Sequence, residues 1–154
     1  MTYSVETTLR DELEISDFDW NRTQLIEFGN YLAKIGVEKN LPLAVSILME
    51  DVRIFQQFAE GTSEVNELWV QRKINTVRAT GHSTLYVRAV MDKGTYSDLH
   101  LDNCMGELAI CGGGIPIAKN GNTHAIVIVS GLPHEEDHNF IMRHFDTFRS
   151  NHGK

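Results

Sequence analysis

Cysteine, proline and clustered positive charge are what this sequence has least of. Its two cysteines, Cys104 and Cys111, stand outside any C-x-x-C spacing. Neither a disulfide framework nor a four-cysteine metal site is therefore available, and both read as reduced thiols. The 14 lysines and arginines never form a run and are outnumbered by 21 aspartates and glutamates, for a formal charge of −7. A chain without a basic patch has little to hold a polyanion, which argues against nucleic acid or an anionic membrane surface as partner. No stretch approaches the roughly 18 apolar residues of a membrane span. The opening "MTYSVETTLRDELEIS" has no basic start followed by an apolar run, and a cytoplasmic location is the expectation. Three prolines, no internal repeat and no low-complexity linker leave one domain as the default for 154 residues, with 1–17 set aside as an N-terminal extension.

What is present is patterned. "DWNRTQLIEFGNYLAKIG" predicts a helix: Leu25, Phe28, Leu32 and Ile35 recur at helical spacing, Asp19 or Asn21 can cap it, and Gly36 reads as its stop. "LPLAVSILME" and "VRIFQQFAEG" are β-rich runs split by Glu50-Asp51, the layout of a hairpin. A second helix is predicted over 66–80, with Val65 or Leu68, Trp69, Arg72 and Thr76 along one face. Ser83 can cap a third, which carries Tyr86, Val87, Val90 and Met91. Residues 93–106 are the least legible. "ELAICGGGIPIAKNGNTHAIVIVSG" then offers two strands joined across Asn120-Gly121, the strongest hairpin signal in the chain. Hairpins near both ends with helices between them predict an α+β layer arrangement around a mainly antiparallel sheet.

The string His134-Glu135-Glu136-Asp137-His138 has the H-E-x-x-H form of a zinc peptidase. In a helix, residues i and i+4 share a face and can offer two imidazoles to one ion. The third ligand is missing. His144 has the right spacing, but Ile141 stands where the longer motif has a glycine that lets the chain leave the helix. On a continuous helix His144 lies about 120° round from His138. The same letters also spell a helix start: Pro133 suits the first helical position, Glu135, Glu136 and Asp137 suit the positive end of the dipole, and Ile141, Phe145 and Phe148 form an apolar stripe to Phe148. No metal site is assigned on this basis.

Other residues invite chemistry. Gly112-Gly113-Gly114 lacks the Gly-Lys-Ser/Thr of a phosphate loop and is followed by Ile115-Pro116-Ile117. It reads as a glycine bend between strands, or as bare backbone that a flat or anionic ligand can approach. Arg72, placed by the helical wheel beside Leu68 and Trp69, needs a partner. That partner is either an internal acid or a ligand carboxylate, and Lys73 is open to the same two readings. His82, His100, His124, His134 and His138 are each able to ligate a metal, but only 134 and 138 have favourable spacing.

"GGGIPIAKNGNTHAIVIVSGLPHEEDH" resembles the G-G-x-F/I-P-I, hairpin, V-S-G-L-P-x-E-E-D-H pattern of the haem-degrading-domain family, also called HbpS-like or GlcG-like. "FAEGTSEVNELWVQRKINTV" resembles its G-T-x-x-x-N-x-x-W-x-x-R-K-x-x-T-V block and "GHST" its Ser-Ser step, so the resemblance runs from about Phe18 to Phe148. It implies a profilin-like fold, a five-stranded antiparallel sheet with helices on both faces, and a homo-oligomer with an even number of subunits. Cover for apolar residues such as Phe55 is a further reason to expect assembly. Some relatives bind haem or corrinoid-related partners and others are small accessory or sensory proteins. A binding or accessory protein for haem or a small anionic ligand is therefore expected. Its candidate ligand-binding residues are Arg72, Lys73, Gly112, Gly113, Gly114, Ser130, Gly131, Asp137 and His138. The alternative is an enzyme acting on haem or a small carboxylate, with His134, Asp137 or His138 as acid or base. Many relatives have histidine immediately before the glycines where this chain has Cys111, a residue that can act as a haem ligand or as a small buried hydrophobe.

Overall fold

The computed structural model describes residues 3–95, 97, 99, 101 and 106–152; His100 and Cys104 lie outside the described residues. The order is α1 (Val5–Ser16), α2 (Arg22–Glu38), β1 (Ala44–Met49), β2 (Val52–Phe58), α3 (Glu64–Thr80), α4 (Thr84–Lys93), β3 (Gly114–Lys119), β4 (Asn122–Ser130) and α5 (Glu136–His152). The strands form one antiparallel sheet in the order β2-β1-β4-β3. Among the described residues the sheet thus has four strands, not the five implied by the resemblance. Both hairpins close where the turn chemistry placed them. Glu50 and Asp51 have φ of 48° and 69°, and Asn120 and Gly121 have 56° and 82°, the left-handed pair that lets a two-residue turn follow the twist of its strands.

Alternation along the central strands directs residues to two cores. Val45, Ile47, Val127 and Val129 join one with α2, α5 and Ile15 of α1, while Ala44, Leu48, Ile126 and Ile128 meet Val70, Ile74 and Val77 of α3 on the other face. The first core holds an aromatic cluster in which Trp20 lies 5.4 Å from Phe28 and stacks at 5.9 Å on Phe148. Phe55 is partly covered, because α2 crosses it at Gly29, where an added Cβ would fall 2.6 Å from the ring.

Several boundaries differ from the sequence expectation for identifiable reasons. Gly36 does not stop α2, which continues to Glu38; Gly36 is buried against Leu43, so its missing side chain serves packing. α3 begins at Glu64, two residues before Asn66, and is capped by Ser63 with a reciprocal Ser63–Asn66 capping box. Pro133 is not the first residue of α5. His134 has φ 54°, which no helix continues, and the helix begins at Glu136 and runs past Phe148 to His152. Residues 5–16, to which no element was assigned, form α1, capped by Ser4 and docked on β3 and α4.

Candidate functional site

Eight of the nine candidate residues, all but Arg72, meet where α3, β4 and the start of α5 converge on the glycine segment. The inward face of α3 carries Val70, Lys73, Ile74 and Val77, so Lys73 enters the interior with only 2% of its side chain exposed. A buried ammonium needs partners. Lys73 Nζ donates to the Val129 carbonyl at 2.9 Å and to Asp137 Oδ2 at 3.0 Å. Asp137, in the first turn of α5, also accepts from the backbone N–H of Leu132 at 2.8 Å and of Gly131 at 3.3 Å. Burial pushes its carboxyl above the usual carboxylate range, against the pull of Lys73 and the two backbone donors.

The glycines fit around this pair. Gly113 has φ 125°, and a Cβ there would overlap the Val129 carbonyl, Lys73 Nζ and Asp137 Cβ; at Gly112 it would fall 2.9 Å from His138 Cβ. The Gly114 N–H donates to Thr84 Oγ1 at 3.1 Å. Ser130, 4% exposed, adjoins Gly131. Arg72 is not brought to this junction. Successive helical residues point about 100° apart, and it is Lys73, not Arg72, that faces inward. Leu68 and Trp69 are 59% and 36% exposed. Arg72 pairs with Glu107 at 2.5 Å and lies 5.1 Å over the Trp69 ring.

The H-E-E-D-H histidines separate as well. His134 is exposed and precedes the helix, whereas His138 is fully buried, with Nε2 2.9 Å from Asp11 Oδ2 of α1 and Nδ1 without a partner. No group of three His, Cys, Asp or Glu residues able to hold a metal ion occurs among the described residues. His82 pairs with Glu12 at 3.0 Å and His124 with Glu50 at 3.1 Å.

On its outer side the glycine segment borders an open cleft of about 260 Å³, walled by Cys111, Gly112, His134 and Glu135 and by Leu85, Arg88 and Tyr3 opposite. Arg88 Nη1 donates to the Ile110 carbonyl at 3.3 Å, which fixes the guanidinium beside the segment leading to Cys111. Cys111 is a half-buried free thiol; desolvation pushes its pKa up while Lys73 pulls it down. The raised pKa favours the neutral thiol, a poorer metal ligand than a thiolate. The cleft offers a guanidinium for a carboxylate or phosphate, an imidazole for a metal centre or a proton, and bare backbone at Gly112. Tyr3, Leu85 and Arg88 carried no signal in the sequence, because local pattern cannot show that residues so distant along the chain share one wall.

A family model described as haem degrading protein HbpS-like matches residues 21–145. A UPF0303 protein of Brucella anthropi is 30% identical over 143 residues, covering 91% of this chain and 84% of its own. The crystal structure of Ybr137w protein matches 100% of this chain and 92% of its own with a TM-score of 0.81 at 22% identity. That of a PduOC:Heme complex matches 79% and 89% with a TM-score of 0.63 at 18% identity. α1 lies before the segment that the family model matches.

Proposed function

The chain belongs to the HbpS-like family of haem-degrading proteins, and from that premise we propose that it is a cytoplasmic binding or accessory protein whose ligand site is the Cys111–His134 cleft. The ligand is haem or a small anionic compound. The observation that carries this reading is the meeting of an exposed imidazole, a guanidinium and a thiol at one open cleft beside the glycine segment. His134 is the donor suited to an iron centre and Arg88 the group suited to an anionic substituent. The solved relative described as a haem complex supports the choice of haem as first probe. Lys73, Gly113, Gly131 and Asp137 support the site from behind, holding the glycine backbone in place. Binding is favoured over catalysis because Asp137 and His138 are sealed at 3% and 0% exposure, which leaves His134 as the accessible acid or base of the three.

The reading includes assembly into a homo-oligomer with an even number of subunits. Val65, Leu68 and Trp69 form an exposed apolar stripe on α3, 54%, 59% and 36% accessible, of the kind that association covers. The test of the ligand is a visible-absorption titration with haemin beside a thermal-shift screen of small carboxylates and phosphates. A saturable spectral change or a stabilisation by one of the anions, weakened in Arg88→Ala, is expected. No response to haemin or to any anion would contradict the proposal.

A further inference from the structure

Two cavities lie end to end on one face of α4. Leu85 and Arg88 line the Cys111 cleft, while Ala89, Asp92 and Lys93 line a second cavity of about 320 Å³ whose other wall runs from Tyr3 to Glu6. Positions 85, 88, 89, 92 and 93 follow the i, i+3, i+4, i+7, i+8 pattern of a single helical face. The two cavities are therefore neighbours along that face with Tyr3 common to both linings, and joined they would make one trough.

The Tyr3 side chain is tied there by a hydrogen bond. Its hydroxyl donates to Asp92 Oδ2 at 2.9 Å, and Asp92 Oδ1 accepts from Arg88 Nε at 3.0 Å. A single carboxylate thus links the aromatic ring to the guanidinium of the neighbouring half. The bond is exposed, so water replaces it when the side chain turns. Rotation about two side-chain torsions is enough to move the ring and needs no rearrangement of the backbone.

We infer that Tyr3 is a size gate on the ligand site: docked on Asp92 it restricts the Cys111 cleft to small compounds, and swung away it opens the α4 trough to a flat ligand of tetrapyrrole size. The cleft alone lies below the roughly 300–1,000 Å³ of sites that enclose a drug-sized ligand, and the joined trough lies within that range. The choice of ligand rests on the function proposed above; the gate itself rests on the geometry of Tyr3, Asp92 and the two cavities.

The test reads the thiol and not the ligand. The 154-residue protein carrying Cys104→Ser presents Cys111 as its one thiol. It is labelled with a small reagent, methyl methanethiosulfonate, and a bulky one, fluorescein maleimide, in the otherwise unchanged protein, in Tyr3→Phe and in Tyr3→Ala. If the gate stands open about a tenth of the time, Tyr3→Ala raises the bulky-reagent rate about tenfold and leaves the small-reagent rate within about twofold. Tyr3→Phe, which keeps the ring and loses the bond, falls between. An equal rise for both reagents, the mark of general unfolding, or no change in either, overturns the inference. Haemin titration of the same variants separates the two claims. A changed labelling ratio with no haemin binding in any variant keeps the gate and removes haem from the proposed function, whereas tighter haemin binding by Tyr3→Ala supports both.

Discussion

Lys73 and Gly113 show how a residue pair of opposite character can be required at one point. The ammonium is tolerable at 2% exposure because Asp137 and the Val129 carbonyl receive it, and the space it occupies is the space a side chain at Gly113 would need. Lys73→Met leaves Asp137 buried without its cation and is expected to cost about 3–5 kcal/mol, read as a loss of denaturation midpoint. Lys73→Met with Asp137→Leu should cost less than the single change, because no charge is stranded. Gly113→Ala combines φ 125° with overlap against backbone, whereas Gly121→Ala, at φ 82°, meets nothing within 4 Å. The first should destabilise by about 3 kcal/mol or more and the second by about 1 kcal/mol; equal melting temperatures for the two would refute the packing argument.

His144 supplies the pH dependence at this scale. Burial, then Arg143 and Lys39, lower its pKa, and its Nε2 is buried without a partner. The folded state therefore holds the neutral ring while the unfolded chain takes up a proton near its ordinary value of about 6.5. Stability from this group is fully present above that value and is lost as pH falls from there through the lower folded pKa. Thermal melts between about pH 7 and 5 should show a decline that is shallower in His144→Phe; parallel declines would remove His144 as the cause.

At the scale of elements, what the sequence disclosed was what local chemistry determines. The two hairpin turns, the Asn21 and Ser83 caps and the Asn120-Gly121 pair act within four residues of themselves. α1 was not legible, because its docking depends on Asp11 and Glu12 meeting His138 and His82 from distant parts of the chain. Glu12 also accepts from the Ser83 N–H at 2.8 Å, at the start of α4. Glu12→Ala is expected to cost about 1–3 kcal/mol by leaving that donor unpaired, visible as faster amide exchange at Ser83. The inward face of α3 was displaced by one residue because the wheel followed Leu68 and Trp69, which are exposed, and a lysine is the side chain least expected inside. For α5, the left-handed His134 separates the two histidines that sequence alone places on one face. After dialysis the protein should therefore hold no stoichiometric zinc. One tightly bound zinc per chain, lost in His138→Ala, would contradict the described geometry.

Among the described residues the molecule presents four paired strands, two cores and an apolar stripe left outside them. Phe55 gave a sequence-level reason to expect assembly, and α2 covers part of it; the α3 stripe supplies another reason. Light scattering at micromolar concentration should give an even multiple of 17.4 kDa, reduced in Leu68→Asp with Trp69→Ser. A monomeric mass for the parent protein would exclude the assembly. The candidate site likewise belongs to this scale, since its walls come from the N-terminal segment, α4, the glycine segment and the turn before α5. Haem binding at His134 is read from the visible spectrum of ferric haemin titrated into the parent protein, His134→Ala and His82→Ala. A saturable band is expected in the parent and in His82→Ala, with at least a tenfold loss of affinity, about 1.4 kcal/mol, in His134→Ala. The same band with the same affinity in all three would contradict haem binding at His134.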